Sequence, residues 1–183
     1  MIKAALRELY WSMYGFGFRN PPLTHPVERF VFICSGNICR SPFAERIYGK
    51  ERQEGEAISL GLDADPQTST PAHVLEAASR FGIDLKEHRP RRFDADLITE
   101  HDLLLFVDLI HLRRLCRTHP ELRGRSWLLP MLDPVSPAAN EGSRYRIPDP
   151  YGADLEKAIA RLGRVARCVK KLADMSPLPL SNP

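Results

Sequence analysis

The sequence predicts an α/β fold, a three-layer sandwich around a four-stranded parallel sheet. Strand and helix patterns alternate along the 183 residues, and the strand candidates are unbroken apolar runs. Strands that are apolar on both faces are typical of parallel sheets covered by helices on each side. Ligands of such folds bind at the carboxyl ends of the strands. The loop that leaves the first strand is therefore the first place to look for chemistry.

Eight segments carry this pattern. Four short apolar runs indicate strands at residues 30–33, 57–60, 103–107 and 127–129. Helical spacing and end signals indicate helices at residues 41–48, 71–81, 109–116 and 153–172. Ser41 suits the N-cap of the first helix and Pro42 its first helical position, while Gly82 suits the end of the second helix. The length fits one domain with its own core.

Composition limits the classes of protein that fit. The net charge is +3, and no run of lysine and arginine is dense enough to indicate nucleic-acid binding. Four scattered cysteines do not make a disulfide framework, which favours a reducing compartment. No apolar run reaches the roughly 18 residues of a membrane span, and the first residues lack the apolar core of a signal peptide. We therefore predict a cytoplasmic protein without a nucleic-acid partner or a transmembrane segment.

The loop after the first strand combines the parts of an anion-binding site. Its members are Cys34, Ser35, Gly36, Asn37, Ile38, Cys39, Arg40 and Ser41. The backbone between the thiol and the arginine must curl, so that its N–H groups and the N-terminus of the next helix point inward. Gly36 and Asn37 tolerate the positive φ angles that such a curl needs. The sequence thus predicts a cradle for an anion such as phosphate.

Cys34 and Arg40 carry the predicted chemistry of this cradle. Arg40 offers a planar fork that matches two phosphate oxygens. The positive surroundings stabilise a thiolate, which is the nucleophilic form of cysteine, and the Ser41 hydroxyl is a further donor to it. The ending of a nucleotide-binding loop is absent and no His/Cys cluster has metal-ligand spacing, so we expect no metal and no cofactor. A buried structural cysteine beside a surface arginine is the alternative.

With this loop, the sequence resembles the low-molecular-weight protein tyrosine phosphatases from about Val31 to Leu172. Residues 34–42 read CSGNICRSP, the form of that family's signature common in bacteria. The resemblance implies hydrolysis of phosphotyrosine through a phosphate carried on Cys34. In the family, isoleucine at the position of Ile38 accompanies phosphotyrosine, whereas threonine accompanies phosphoarginine. The implied partner is a phosphotyrosine protein, such as the bacterial tyrosine kinases that control capsule or exopolysaccharide export.

A second match supplies a general acid. Residues 147–151 read IPDPY, similar to the family's Asp-Pro-Tyr loop, and this implies that Asp149 protonates the departing oxygen. The chemistry asks for such a group independently, because a phenolate, whose conjugate acid has a pKa of about 10, leaves poorly without a proton. A plain turn before Pro150 is the alternative for this segment.

Weaker matches concern the surroundings of the loop. The resemblance implies that Ser59 and His88 support the phosphate loop. It also implies that Asp108 lies near the rim of the site and that residues 132–134 form a structural turn. For each of them a cap, a turn or a satisfied polar group is the alternative.

The substrate-facing wall departs from the family pattern. Residues 61–71 are shorter than the usual wall loop and contain no tryptophan, so Leu62 or Asp63 is expected at the rim. Gly152 stands where animal members carry a second aromatic residue. Tyr151 and Leu62 are predicted to line a slot for an aromatic ring. These departures concern the choice of substrate and not the reaction.

Two other functions fit the sequence less well. An arsenate reductase on the same fold passes oxidation to two further cysteines close in sequence, whereas Cys116 and Cys168 are 52 residues apart within helical patterns. Such reductases also lack the Asp-Pro-Tyr acid. A non-catalytic phosphate-binding module would usually have lost Cys34, Arg40 or Asp149, and all three are present.

Cys39 allows two interpretations. It follows Cys34 by five positions on a curled loop, so the two sulfurs are expected close enough for a protective disulfide under peroxide. A buried apolar cysteine that packs under the loop is the alternative.

The chain divides into an amphipathic extension at residues 1–28, a phosphatase domain at residues 29–174 and a Pro-rich tail at residues 175–183. Apolar residues at helical spacing predict a helix in the extension. They are Ile2, Ala5, Leu6, Leu9, Tyr10, Met13 and Tyr14. The slight positive charge of this stripe favours packing on the domain itself or a homodimer over membrane contact.

Overall fold

A parallel sheet of four strands forms the centre of the computed structural model, which describes residues 17–52, 55–138 and 141–175. The strands lie in the order β2-β1-β3-β4. Their bounds are β1 Arg29–Cys34, β2 Glu56–Gly61, β3 Asp102–Phe106 and β4 Ser126–Leu128. All pairings between them are parallel, so the carboxyl ends of the strands meet at one edge. The predicted four-stranded parallel sheet is confirmed.

Helices cover both faces of this sheet. Their bounds are α1 Arg40–Glu51, α2 Ala72–Ser79, α3 Leu109–Thr118 and α4 Leu155–Asp174. Helices α1, α2 and α4 pack on one face, and α3 packs on the other. Short 3₁₀ segments occur at Ala95–Leu97, Pro120–Arg125 and Leu129–Leu132. The arrangement is the three-layer sandwich that the sequence predicts.

Side chains of the central strands alternate between two hydrophobic clusters. Phe30 and Phe32 of β1 pack with α1, α2 and α4, whereas Val31 and Ile33 pack with α3. Successive residues of a strand point to opposite faces, and helices cover both faces here. Every position of β1 after Arg29 is therefore buried. Burial on both faces explains why the strands read as unbroken apolar runs.

The start of α1 corrects one prediction. Ser41 is not its N-cap, because the helix begins at Arg40 with Cys39 as N-cap and without a side-chain capping bond. The Ser41 hydroxyl lies 3.0 Å from the Cys34 sulfur instead. Pro42 still falls in the first turn, where a missing N–H removes no intrahelical hydrogen bond.

The bounds of the other predicted helices shift by one or two residues. For α4 the cause is visible, since the Asp154 side chain accepts a hydrogen bond of 2.8 Å from Lys157 N and sets the start of the helix at Leu155. Such a cap satisfies one of the free N–H groups of the first turn. Gly82, which follows α2, has the left-handed φ of 70° expected after a helix end.

The described part of the N-terminal extension packs on the edge of the sheet. The Asn20 side chain accepts from Leu128 N at 2.7 Å and donates to Leu128 O at 3.3 Å, so it pairs with the edge strand β4 as a neighbouring strand would. Trp127 Nε1 donates to Pro21 O at 2.8 Å. Leu23 is 5% exposed and belongs to the cluster on the α1 face. We propose that the folded domain therefore includes residues before the predicted boundary at residue 29.

The predicted helix of residues 2–14, and with it the contact surface for a homodimer, lies outside the described residues, as does most of the Pro-rich tail. Within the described ranges, no helix is both long enough and apolar enough to cross a membrane.

Replacing Leu23 tests whether residues before 29 belong to the folded unit. Leu23→Ala is expected to lower the free energy of unfolding by about 2–5 kcal/mol, because it leaves a cavity in the core. Turnover of a small aryl phosphate should stay unchanged. Urea unfolding measures the loss, with Thr24→Ala at the adjacent exposed position as the control. Equal stability of Leu23→Ala and the parent would contradict the packing of this segment.

Candidate active site

The loop between β1 and α1 lies at the carboxyl edge of the sheet and turns at Asn37. Asn37 has a φ of 53°, and it is the one non-glycine residue with a positive φ in the described ranges. Asparagine tolerates this left-handed conformation better than most residues. Gly36, the other residue of the loop that tolerates a positive φ, does not adopt one. A single left-handed residue is enough to reverse the chain.

The end of β2 holds the first residues of the loop. Leu62 N donates to Cys34 O at 3.0 Å, and Asp63 N donates to Ser35 O at 2.9 Å. Gly61 lies so close that a Cβ there would be 2.5 Å from Ser35 O, which is backbone and has no room to move. A side chain at residue 61 would therefore push the loop away from the sheet.

The Asn37 side chain is fully buried, and each of its polar atoms has a hydrogen-bond partner. Its Nδ2 donates to Ser41 Oγ and to Ser59 Oγ, both at 2.9 Å. Its Oδ1 accepts from Arg91 N at 2.7 Å. Its backbone carbonyl accepts from His88 Nε2 at 2.7 Å. Asn37 thus ties the loop to β2, to α1 and to residues 88–91, and the contacts expected of Ser59 and His88 are present.

His88 makes its contact as a neutral ring. Burial, the largest cause, lowers the pKa of His88 below its ordinary value of 6.5, although the hydrogen bond to Asn37 O opposes this shift. A neutral imidazole carries one proton, and a bond to a carbonyl oxygen requires that proton on Nε2. His88 therefore supports the loop as a donor without adding a charge to it.

Two hydrogen-bond donors converge on the sulfur of Cys34. Asn37 N donates to Cys34 Sγ at 3.3 Å, and Ser41 Oγ lies 3.0 Å from the same atom. The Ser41 oxygen already accepts from Asn37 Nδ2, so its own hydrogen remains to be donated. A more distant acceptor for that hydrogen, Leu60 O, lies at 3.4 Å. A sulfur that receives two donors is suited to bear a negative charge.

Arg40 brings the predicted acid to the cradle. Its Nη2 donates to Asp149 Oδ2 at 2.6 Å, and its Nη1 donates to Ile147 O at 3.0 Å. The Arg40 side chain is 4% exposed, whereas that of Asp149 is 45% exposed. The Nε atom of Arg40 is buried and has no hydrogen-bond partner within the described residues. An N–H donor next to the Cys34 loop is thus available to an oxyanion.

Buried ion pairs anchor the segment that leads to Asp149. Arg146 Nε lies 3.1 Å from Asp108 Oδ2, and Asp108 also accepts from Ile110 N as the N-cap of α3. Arg164 of α4 is fully buried and donates to Asp133 Oδ2 at 2.9 Å and to Arg146 O at 3.0 Å. Asp108 and the turn at residues 132–134 therefore hold in place the acid loop, which is the segment at residues 147–153 that contains Asp149.

The other predicted site residues lie around the same loop. The Ser35 hydroxyl donates to Asp63 Oδ2 at 2.8 Å. Ile38 is partly buried, and its carbonyl accepts from Thr70 Oγ1 at 2.7 Å. Leu62 packs partly buried against the cluster of α3, while Tyr151 is 63% exposed. No group of three or more metal-ligating side chains occurs in the described part of the chain.

Cys39 is buried in the core under the loop. Desolvation, the largest cause, raises the pKa of its thiol, and the neighbouring Asp149 and Cys34 add to the shift. All four cysteines are free thiols in the structure. The packing agrees with the apolar interpretation of Cys39, and the disulfide with Cys34 stays a prediction.

An exposed ion pair forms part of the substrate-facing wall, for which the sequence predicted only Leu62 or Asp63. Arg114 of α3 donates twice to the Asp63 carboxylate, with both distances at 2.6 Å, and these bonds are the largest cause of the lowered pKa of Asp63. Asp63 also accepts from Ser35 of the phosphate loop. We expected Leu62 or Asp63 at the rim, but sequence reasoning did not find Arg114. The two residues are 51 positions apart, and no local pattern links them.

His111 is a further residue that sequence reasoning missed. Burial, followed by the positive charge of Arg40, lowers the pKa of His111 from 6.5 to about 3. Its Nδ1 atom is buried without a hydrogen-bond partner in the described ranges. A neutral ring therefore packs beside Arg40, where a charged ring would repel it.

Comparisons with known proteins agree with this geometry. The model of a family described as low molecular weight phosphotyrosine protein phosphatase matches residues 29–176. The chain is 30% identical to the low molecular weight protein-tyrosine-phosphatase Wzb of Escherichia coli K12 over 146 residues. These aligned residues cover 80% of this chain and 93% of that protein. Among solved structures it is similar to tyrosine phosphatase Wzb from Escherichia coli K30 in complex with sulphate, with 28% identity, a TM-score of 0.71, and coverage of 81% of this chain and 97% of that one. For tyrosine phosphatase AmsI of Erwinia amylovora the identity is 27%, the TM-score 0.71, and the coverage 85% and 95%.

The chain therefore belongs to the low molecular weight phosphotyrosine protein phosphatase family. It is a protein-tyrosine phosphatase. The family that the sequence resembles and the fold that it predicts are both confirmed.

Acid should destabilise the protein through His111. Its pKa is about 3 when folded and 6.5 in the unfolded reference, so below pH 6.5 the unfolded state binds more protons and stability falls as the pH drops. The charged groups that face it are Arg40, Asp63, Arg114 and Arg146. His111→Gln should lower this loss by up to about 1 kcal/mol per pH unit. Urea unfolding at a series of pH values measures it, and identical pH dependence in both proteins would contradict the assignment.

Proposed function

We propose that this phosphatase hydrolyses phosphotyrosine in two steps, through a phosphate carried on Cys34. The Cys34 thiolate attacks the phosphorus in line, and the S–P bond forms as the bond to the phenolic oxygen breaks. Protonated Asp149 gives its proton to that oxygen. Water then attacks the phosphorus while Asp149 takes its proton, the thiolate leaves and inorganic phosphate is released. Arg40 and the loop N–H groups stabilise the charge on the other oxygens.

The hydrogen bond between Arg40 and Asp149 is the observation that carries this proposal. It joins two residues 109 positions apart and puts the carboxyl group beside the loop that contains Cys34. A bound phosphate would take the Arg40 donors at Nε and Nη2, which match two of its oxygens. The Asp149 carboxyl group would then be released next to the ester oxygen that must be protonated. The similar Wzb of Escherichia coli K30 has been solved in complex with sulphate, an oxyanion of the same shape.

The surroundings of the loop support a phosphotyrosine protein as substrate. Tyr151 stands exposed on the acid loop, and Leu62 lies directly after Gly61, where β2 meets the phosphate loop. An aromatic ring can pack between such side chains. Ile38 favours phosphotyrosine over phosphoarginine by the family resemblance. We further propose a bacterial tyrosine kinase as the protein substrate and the cytoplasm as the compartment, where the thiol of Cys34 stays reduced.

Arsenate reduction is disfavoured by where the remaining cysteines lie. Cys116 packs with the cluster on the α3 face, whereas Cys34 belongs to the cluster on the α1 face. Cys168 is fully buried in α4, and desolvation raises its pKa to about 12. A thiol that passes oxidation onward must react as a thiolate and be reachable. Neither cysteine is placed as such a partner of Cys34.

The leaving group of the substrate tests the role of Asp149. Asp149→Asn should lower kcat/KM on phenyl phosphate by about 10²–10⁴-fold, because the phenolate must be protonated as it leaves. On 2,4-dinitrophenyl phosphate, whose leaving group is a stable anion, the loss should be far smaller. Steady-state kinetics on both esters measure the difference.

Each of three outcomes would overturn part or all of the proposal. An equal loss on both esters would assign Asp149 a structural role. Hydrolysis of phenyl phosphate that survives Cys34→Ser would overturn the covalent route, while a parent protein that reduces arsenate but cleaves neither ester would overturn phosphatase function altogether.

A further inference from the structure

The acid loop at residues 147–153 has few backbone N–H groups that could bind it to the rest of the fold. Pro148 and Pro150 have no N–H group, so neither can donate a backbone hydrogen bond. Ile147 N donates to Val107 O at 2.9 Å and fixes the start of the loop to the end of β3. Beyond that point the backbone hydrogen bonds of the loop are local, from Tyr151 N to Asp149 Oδ1 at 3.1 Å and from Ala153 N to Pro150 O at 3.0 Å. The anchor of this part to the rest of the fold comes from side chains that donate.

Two helices supply such donors. Arg161 of α4 donates from Nη1 to the carbonyl oxygen of Asp149 at 2.6 Å. His73 of α2 bonds through Nε2 to the carbonyl oxygen of Pro150 at 3.0 Å, across 77 positions of the chain. Both contacts are partly buried. The helices belong to the same layer of the sandwich, so the loop is bound to a rigid surface on two consecutive carbonyl groups.

These two contacts differ from the one that Arg40 makes. In the structure, Arg40 holds the Asp149 carboxylate itself. Under the proposed function that bond must break when phosphate takes the Arg40 fork, just when the acid has to be in position. The hydrogen bonds of Arg161 and His73 to the loop are made to backbone carbonyl oxygens, which neither ionise nor take part in the reaction. Their bonds can persist through the whole cycle.

We propose that Arg161 and His73 are positioning residues. They hold the Asp149 carboxyl group at the ester oxygen once Arg40 has released that group and bound the phosphate. The inference rests on the proposed role of Asp149 as general acid. A displacement of about 1 Å at a reacting group lowers rates by about 10²-fold. In kcat/KM, which reports the steps up to phosphoryl transfer to Cys34, the loss is confined to esters whose leaving group needs the proton, since Cys34 and Arg40 have their own supports in the phosphate loop.

The two esters that test Asp149 also test this inference. Arg161→Met is expected to lower kcat/KM on phenyl phosphate by about 10- to 100-fold and on 2,4-dinitrophenyl phosphate by less than about 3-fold. Arg161→Lys should recover much of the loss, because an ammonium group can donate to the same carbonyl. His73→Ala should show the same selective loss, and His73→Gln, which keeps an N–H donor, should recover part of it.

A matched control separates position from charge and from stability. Lys170→Gln removes an exposed positive charge from the same helix, where Lys170 pairs with Glu51 at 3.3 Å, and it should change neither ester's kcat/KM.

Equal losses on both esters in Arg161→Met, or no loss on phenyl phosphate, would overturn the positioning role. If Asp149→Asn is itself unselective, the proposed acid fails and this inference fails with it. A selective Asp149→Asn with an unselective Arg161→Met overturns the inference alone.

Discussion

The left-handed backbone at Asn37 is the constraint on which the active site depends. It turns the chain after Cys34 so that the Asn37 N–H points at the sulfur, 3.3 Å away. For most residues this conformation costs about 1–2 kcal/mol. Here the hydrogen bonds of the Asn37 side chain and carbonyl compensate for it, and they link the loop to β2, α1 and residues 88–91. One residue thus defines the shape of the cradle and connects it to the rest of the fold.

Charged side chains from distant parts of the chain complete the site. Arg164 is fully buried with Asp133, and removing one partner of such a pair costs about 3–5 kcal/mol because the other charge stays buried. That strength is useful where a segment without regular structure must present a reacting group. The pair fixes the start of the stretch that ends in Asp149, and Arg161 fixes its end. The phosphate loop is thus held by the hydrogen bonds of Asn37, whereas the acid loop is held by arginines of α4 and by His73 of α2.

The phosphate loop and the fold could be predicted from the sequence because their determinants are local. Unbroken apolar runs give buried strands, and the motif from Cys34 to Ser41 is contiguous between a strand and a helix. The same local rules misassigned Ser41 as an N-cap, since the contact of its hydroxyl with the Cys34 sulfur is invisible to them. Arg161, His73 and the pair of Asp63 with Arg114 escaped prediction for a related reason. They are polar residues on helices or loops, and only the three-dimensional fold shows what they contact.

In the proposed mechanism, phosphate from phosphotyrosine passes through the sulfur of Cys34. The most direct test is to mix the protein with a phosphotyrosine peptide, quench the reaction with acid within a turnover and determine the mass of the intact protein. The expected result is a protein species heavier by one phosphoryl group, which maps to the peptide that contains Cys34 and is absent from Cys34→Ser. Rapid release of phosphate without such a species, or a phosphoryl group on another residue, would contradict it.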